Sequence, residues 1–139
     1  MFQEIEISGK NIKMLSSGAT PIYYSRCFGK DCVVRNSLLQ TKLALIMNLD
    51  PENATEEDLQ SVAEWDAECN NLASELGYIM AMQAEKKKMD TLNEKSYIKW
   101  MDGFENPRFG EIAVKILDIY NGVSEAPETK KKAEQPNEK

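Results

Sequence analysis

The sequence predicts a mainly α-helical protein, in which an N-terminal β-hairpin packs on a bundle of about four to five helices and a disordered tail follows. Three observations predict it. Apolar residues alternate over residues 4–15, they recur every three or four positions over much of residues 21–122, and residues 123–139 mix Pro, Glu and Lys without a large apolar side chain. An apolar share of 42% suffices for one modest core, so we expect one domain over 1–122 and a disordered charged tail over 123–139.

The first element is a β-hairpin. Ile5 and Ile7 fall on one face of a strand, Ser8-Gly9-Lys10 provides the turn, and Ile12 and Met14 resume the alternation. Because an isolated hairpin is only marginally stable in water, we expect its apolar face to lie against helices.

Two helices follow the hairpin, the first over about residues 21–28. Thr20 is predicted to cap this helix, with Pro21 as its first residue, and Gly29 to end it in a left-handed conformation. The chain restarts at Asp31, and a second helix extends to about residue 47. Its broad apolar face predicts a central position in the bundle.

The longest helix begins after a loop over residues 48–54, where Thr55 and Asp58 resemble a capping box. Its apolar positions form a narrow seam, which packing within the domain explains most simply and contact between subunits explains as an alternative. The seam consists of Val62, Trp65, Cys69, Leu72, Leu76 and Ile79.

The last part of the domain begins after a basic helix end at residues 83–88 and a polar connector to about residue 95. A short helical segment with aromatic anchors is predicted over residues 96–104. Asn106 is predicted to cap a final helix that begins with Pro107 and ends at Gly122.

Composition excludes several kinds of chemistry. The chain has no histidine, which removes His-based catalysis, and its three cysteines lack a C-x-x-C pair, which favours buried reduced thiols. A net charge of −6 argues against nucleic-acid binding. No apolar run suits a signal peptide or a membrane span, so we expect a cytoplasmic protein that binds neither nucleic acid nor membrane. No cofactor or metal site is predicted.

Four glutamates form a stripe beside the seam of the longest helix: Glu57, Glu64, Glu68 and Glu75. Helical pyrophosphohydrolases that bind Mg²⁺ need paired Glu-x-x-Glu and Glu-x-x-Asp motifs, but Tyr78 stands three places after Glu75. We interpret the stripe as a solvated acidic face. A carboxylate-metal nucleotide hydrolase using Glu64 and Glu68 is the enzymatic alternative.

Particular residue strings resemble the tail assembly chaperones of long-tailed bacteriophages of Gram-positive hosts. The opening IEISGK of residues 5–10 is similar to the first strand and Gly-Lys turn of that family. The stretch from Ala19 to Asp31 is similar to its entry into the first helices, and residues 100–104, WMDGF, resemble its aromatic segment before the last helix. The resemblance covers most of residues 4–122.

The resemblance implies a non-enzymatic protein that keeps the tape-measure protein soluble during tail morphogenesis in the bacterial host cytoplasm. The major tail protein and a second copy of the chain are further candidate partners. A structural or tail-completion adaptor retained in the virion is the alternative. Large apolar side chains supply most binding energy where they are exposed, although for each candidate burial in the core is the simpler explanation. The candidate contacts are Trp65, Leu72, Leu76, Ile79, Trp100 and Phe104.

Overall fold

The computed structural model describes residues 2–105 and 109–122, with residues 109 and 110 described by their backbone only. Two strands, β1 (Phe2–Ile7) and β2 (Lys10–Leu15), precede the helices α1 (Thr20–Phe28), α2 (Cys32–Met47), α3 (Glu56–Ala84), α4 (Glu94–Asp102) and α5 (Phe109–Asn121). A short 3₁₀ turn at Met89–Thr91 lies between α3 and α4. The mainly helical fold with an N-terminal hairpin is therefore confirmed. The predicted tail and the predicted cap at Asn106 and Pro107 lie outside the described residues.

The hairpin is antiparallel, with Ile5 opposite Ile12 and Ile7 opposite Lys10. Its turn is tighter than expected, because Ser8 and Gly9 alone form it and Lys10 already belongs to β2. Both turn residues have positive φ, 51° and 80°, which matches the right-handed twist of the strands. Ile5, Ile7 and Met14 are buried, so the apolar face of the hairpin is covered.

The centre of the molecule is the second half of α3. Every residue from Leu72 to Met82 is buried, so this segment is enclosed on all sides, as expected of a helix in the middle of a core. Gly77 lies at the closest approach: a Cβ there would be 3.3 Å from Met14 Cε of β2 and 3.4 Å from Ile116 Cδ1 of α5. Absence of a side chain at residue 77 thus lets β2 and α5 pack directly on α3.

The prediction that the second helix is central is wrong. In α2 only Cys32 and Leu39 are buried, and between Gln40 and Glu68 no residue is buried. The second half of α2, the loop after it and the first half of α3 therefore form an outer helical hairpin, residues 40–68, in which no side chain is buried. The broad apolar face misled because apolar side chains lie on both the inner and the outer side of α2.

Local signals at the helix ends were mostly right. Gly29 has φ 67° and ends α1, Asp31 accepts hydrogen bonds from the Val33 and Val34 amides, and Thr55 forms the predicted capping box with Asp58. The prediction that Thr20 caps α1 is wrong. Thr20 is the first residue of the helix, and its hydroxyl accepts from the Ser17 amide and donates to Gln83 Oε1 at 2.7 Å, which joins α1 to the end of α3.

Candidate functional site

An apolar stripe runs along the solvent side of α2. Val34, Leu38 and Leu45 are spaced by four and seven residues, which places them on one side of the helix. Their exposed fractions are 54%, 64% and 66%. We call these three residues the outer stripe.

The outer stripe belongs to a larger concentration of exposed apolar side chains on α2. Among the described residues, half of the large hydrophobic side chains that are exposed belong to this helix: Val33, Val34, Leu38, Leu45 and Met47. Single exposed apolar residues are common on protein surfaces, whereas clusters mark sites of interaction. The clustering on one helix makes α2 the candidate partner-binding element.

A groove opens beside α2, where it meets α3 and α5. It encloses about 260 Å³. Its lining is mostly apolar and includes Leu39, Leu43, Trp65, Cys69, Ala113, Val114 and Leu117. Trp65 closes one side, and its indole N–H donates to the Leu39 carbonyl at 3.0 Å, which fixes the ring between α2 and α3. We call this feature the α2–α3–α5 groove.

A cluster of charged and polar groups holds the start of α2 against α3. Glu75 is buried and accepts from Tyr24 at 2.6 Å and from Arg35 Nη1 at 2.6 Å through Oε1, while Lys30 Nζ lies 3.7 Å from Oε2. Arg35 also donates to the Tyr24 hydroxyl, and its Nη2 lies 3.4 Å from Glu68 Oε2. A buried carboxylate needs such pairing to offset its lost hydration.

The chemistry of this cluster is suited to fixing the start of α2 against α3. Burial, followed by the hydrogen bond to Glu75, raises the pKa of Tyr24 above its ordinary value, so the phenol stays protonated and keeps donating. The Glu75 carboxylate is engaged by three side chains from α1, α2 and the turn between them. The cluster therefore fixes the position from which the exposed part of α2 extends.

For four of the six candidate contacts the structure agrees with the simpler explanation, burial in the core. Leu72, Leu76 and Ile79 are fully buried in the second half of α3, and Phe104 is buried as well. These four side chains contribute to the core. Trp65 and Trp100 are half-buried, and only Trp65 lines the α2–α3–α5 groove.

Trp100 and Phe104 instead belong to an aromatic cluster between α3 and α4. Their rings pack edge to face with centroids 4.8 Å apart, and Trp100 lies 5.4 Å from Tyr78 of α3. Lys10 of the hairpin reaches over the Phe104 ring, 5.6 Å from its centroid, and donates to the Gly103 carbonyl. Such ring pairs add stability beyond the area that they bury. The aromatic segment before α5 thus joins α4 to the hairpin and to α3.

The acidic stripe divides in two. Glu57, Glu64 and Glu68 are exposed, as a solvated face requires, and Glu64 lies 3.9 Å from Lys42. For Glu75 the same interpretation is wrong, because this residue is buried in the polar cluster. Periodicity cannot reveal the difference, since it does not show that Arg35 stands opposite Glu75.

The three cysteines are buried free thiols, as predicted. Burial is the main cause that raises the pKa of Cys27 and of Cys69 to about 11. For Cys69 the nearby Asp66 and Glu68 carboxylates act in the same direction. These thiols are therefore poor nucleophiles near neutral pH.

Sequence reasoning missed the outer stripe, although a signal for it existed. Apolar residues surround α2 so broadly that one buried face cannot accommodate all of them, and Leu38 stands next to the buried Leu39. The groove had a weaker signal, because it depends on where α5 crosses the other two helices. Only Trp65 among its lining residues was a predicted contact.

Within residues 2–105 and 109–122, no group of three or more Cys, Asp or Glu side chains is placed to hold a metal ion. No helix in the same part of the chain is long and apolar enough to cross a membrane. Comparison of the chain with protein-family models, with curated proteins and with solved structures gives no match.

Proposed function

We propose that this protein is a non-enzymatic assembly chaperone of a phage or prophage tail, which binds helical segments of the tape-measure protein in the host cytoplasm. The family is suggested by the residue strings at 5–10, 19–31 and 100–104. The observation that carries the binding function is the outer stripe, an exposed apolar helix face, together with the polar cluster around Glu75 that holds the start of α2 in place. Amphipathic helices of a client dock on such surfaces through side chains at helical spacing.

The outer stripe also suits a transient contact. Its three side chains offer an apolar surface without an aromatic anchor, and an acidic chain of net charge −6 stays soluble while that surface is exposed. A chaperone must release its client when tail-tube subunits assemble, and a small apolar contact dissociates faster than one with several buried aromatic anchors.

Co-expression with a tape-measure fragment from the same phage or prophage genome tests the proposal. We expect the fragment to be soluble and to co-purify with this protein, and Leu38→Glu to reduce the recovery at least several-fold. Ile98→Glu is the matched control, because Ile98 is equally exposed but lies on α4. A fragment that stays insoluble and unbound in the presence of wild-type protein would refute the function.

Retention in the particle distinguishes the alternative of a virion adaptor. We expect mass spectrometry of purified virions to find no stoichiometric amount of this protein. Recovery in mature particles would replace the chaperone by a structural or tail-completion protein.

A further inference from the structure

The α2–α3–α5 groove differs from the outer stripe in shape and in charge. Where the stripe is a convex surface, the groove is a depression of about 260 Å³ with an apolar floor. Val114 at its edge is 63% exposed, so the apolar lining continues to the surface. Pockets for small molecules mostly enclose about 300–1,000 Å³, and the smaller volume here suits one or two side chains of a protein partner.

The polar part of the groove is rich in acceptors and carries negative charge. Among the described residues, its lining includes Asp66 and Asp118 together with Gln40, Asn70 and Asn121 and has no Lys or Arg, and Asp66 is the carboxylate exposed at its edge. Asn70 Oδ1 is buried and has no hydrogen-bond partner within the part of the chain that the structure describes. A buried acceptor without a partner costs free energy, so the Asn70 side chain lies in a region that is not fully satisfied.

We infer that the groove takes an apolar side chain from a helix of a partner protein, and that this side chain is flanked by Lys or Arg. The apolar floor accommodates the anchor, and the acidic edge at Asp66 favours a cationic neighbour. The identity of the helix as part of a tape-measure protein rests on the proposed function, whereas the chemistry that the groove selects does not.

Two other occupants fit less well. The C-terminal segment 123–139 has lysines but no aromatic residue and no Leu, Ile or Met to fill the floor. A second copy of the chain would bring its own net charge of −6 to an acidic groove. Both are outcomes that the experiment below can detect.

Synthetic helical peptides of about 18 residues test the selection. One peptide carries a Leu stripe flanked by Lys, a second the same stripe flanked by Glu, and a third an Ala stripe flanked by Lys. We expect the full chain to bind the first most tightly. Asp66→Lys should weaken that peptide about fivefold and strengthen the Glu-flanked one. Glu6→Lys changes the net charge equally on the hairpin and should leave both affinities unchanged.

Trp65 reports whether binding occurs in the groove itself. The chain has two tryptophans, so Trp100→Phe leaves Trp65 as the single emitter. We expect the Lys-flanked Leu peptide to shift Trp65 emission to shorter wavelength, because a bound helix removes water from the half-buried indole. Circular dichroism of the variant verifies the fold. If Trp100→Phe unfolds, the difference between the wild-type chain and Trp65→Phe, in which only Trp100 emits, gives the change at Trp65.

Several results would overturn the inference. They are equal affinity for the three peptides, binding without a change at Trp65, and no effect of Asp66→Lys beyond that of Glu6→Lys. A Trp65 shift produced by a peptide of residues 123–139, or by raising the protein concentration alone, would assign the groove to the tail or to a second copy. Failure of these tests while Leu38→Glu still abolishes co-purification would leave the proposed function standing. Success with the peptides together with failure of the tape-measure fragment to bind would support the inference on the groove and refute the proposed function.

Discussion

Glu75 shows how one carboxylate can decide where a helix is attached. It is buried among Tyr24, Arg35 and Lys30, which come from α1, from α2 and from the turn between them. Because the buried carboxylate has lost its hydration, only its hydrogen bonds and ion pairs with these partners offset that cost. The partners in turn depend on the Glu75 carboxylate. The sequence marks Glu75 as one of four similar glutamates and gives no sign that it is the buried one.

We expect Glu75→Gln to lower the free energy of unfolding by about 2 kcal/mol or more, because Arg35 keeps its charge and loses its closest counter-ion. Urea denaturation followed by circular dichroism measures the loss. Glu64→Gln, on the exposed part of the same stripe, should change stability by less than about 0.5 kcal/mol. Equal effects of the two substitutions would show that Glu75 is solvated.

Cys27 and Cys69 should react slowly with iodoacetamide in the folded protein. With a pKa of about 11, against an ordinary value near 9.0, each thiol is about 100-fold less ionised at pH 8. We expect alkylation, followed by peptide mass spectrometry, to accelerate about tenfold per pH unit until near pH 11. The same reaction in urea, which should level off near pH 9, is the control.

The raised thiol pKa values also fix the sign of a pH effect on stability. Below about pH 9 the folded and unfolded chains both hold these protons, so the full stability is present. Between about pH 9 and 11 the unfolded chain releases them first, and stability falls. A free energy of unfolding that rises over this range would contradict the burial of the two thiols.

The left-handed backbone of Gly29 ends α1 and so separates it from α2. A Cβ at residue 29 would meet no atom within 4 Å, so the cost of a side chain there is conformational and not steric. We expect Gly29→Ala to destabilise the protein by about 1 kcal/mol. Gly18→Ala is the control, because its Cβ also meets nothing and its φ is not positive. Equal midpoints of urea unfolding would rule out the left-handed turn.

Element ends were predictable because their signals are local. Asp31, Thr55 and Gly29 each act within four residues of their own position, and sequence alone identified all three. Thr20 was misassigned because its hydroxyl reaches Gln83, far along the chain. A cap and a tertiary hydrogen bond need the same side-chain type, and only the tertiary structure distinguishes them.

The burial of a helix face is harder to predict from sequence than a helix end, as α2 shows. Apolar content identified the helix correctly, but it cannot tell a central helix from one that has an inner and an outer apolar side. The same uncertainty, whether an apolar side chain faces the core or a partner, applies to the candidate site. The seam of α3 was recognised, but Leu72, Leu76 and Ile79 lie inside the molecule. Only contact with α1, α5 and the hairpin decides which half of α3 is covered.

For the whole molecule, α3 joins two regions that differ in burial. Its residues Leu72 to Met82 are all buried, whereas no residue between Gln40 and Glu68 is. We expect amides of the outer helical hairpin to exchange with solvent at least about 100-fold faster than those of the buried half, because they open without global unfolding. Hydrogen exchange followed by NMR measures this, and uniform protection along α3 would contradict the division.

The loop at the end of the outer helical hairpin has a practical consequence. Asp50 organises this loop by accepting from the Glu52 amide and from the Asn53 side chain, and the residues from Asp50 to Asn53 are exposed. Because no residue between Gln40 and Glu68 is buried, we expect that the chain can be lengthened there at little cost in stability. A fluorescent label or an affinity tag inserted between Glu52 and Asn53 would therefore mark the protein at an exposed site outside its core.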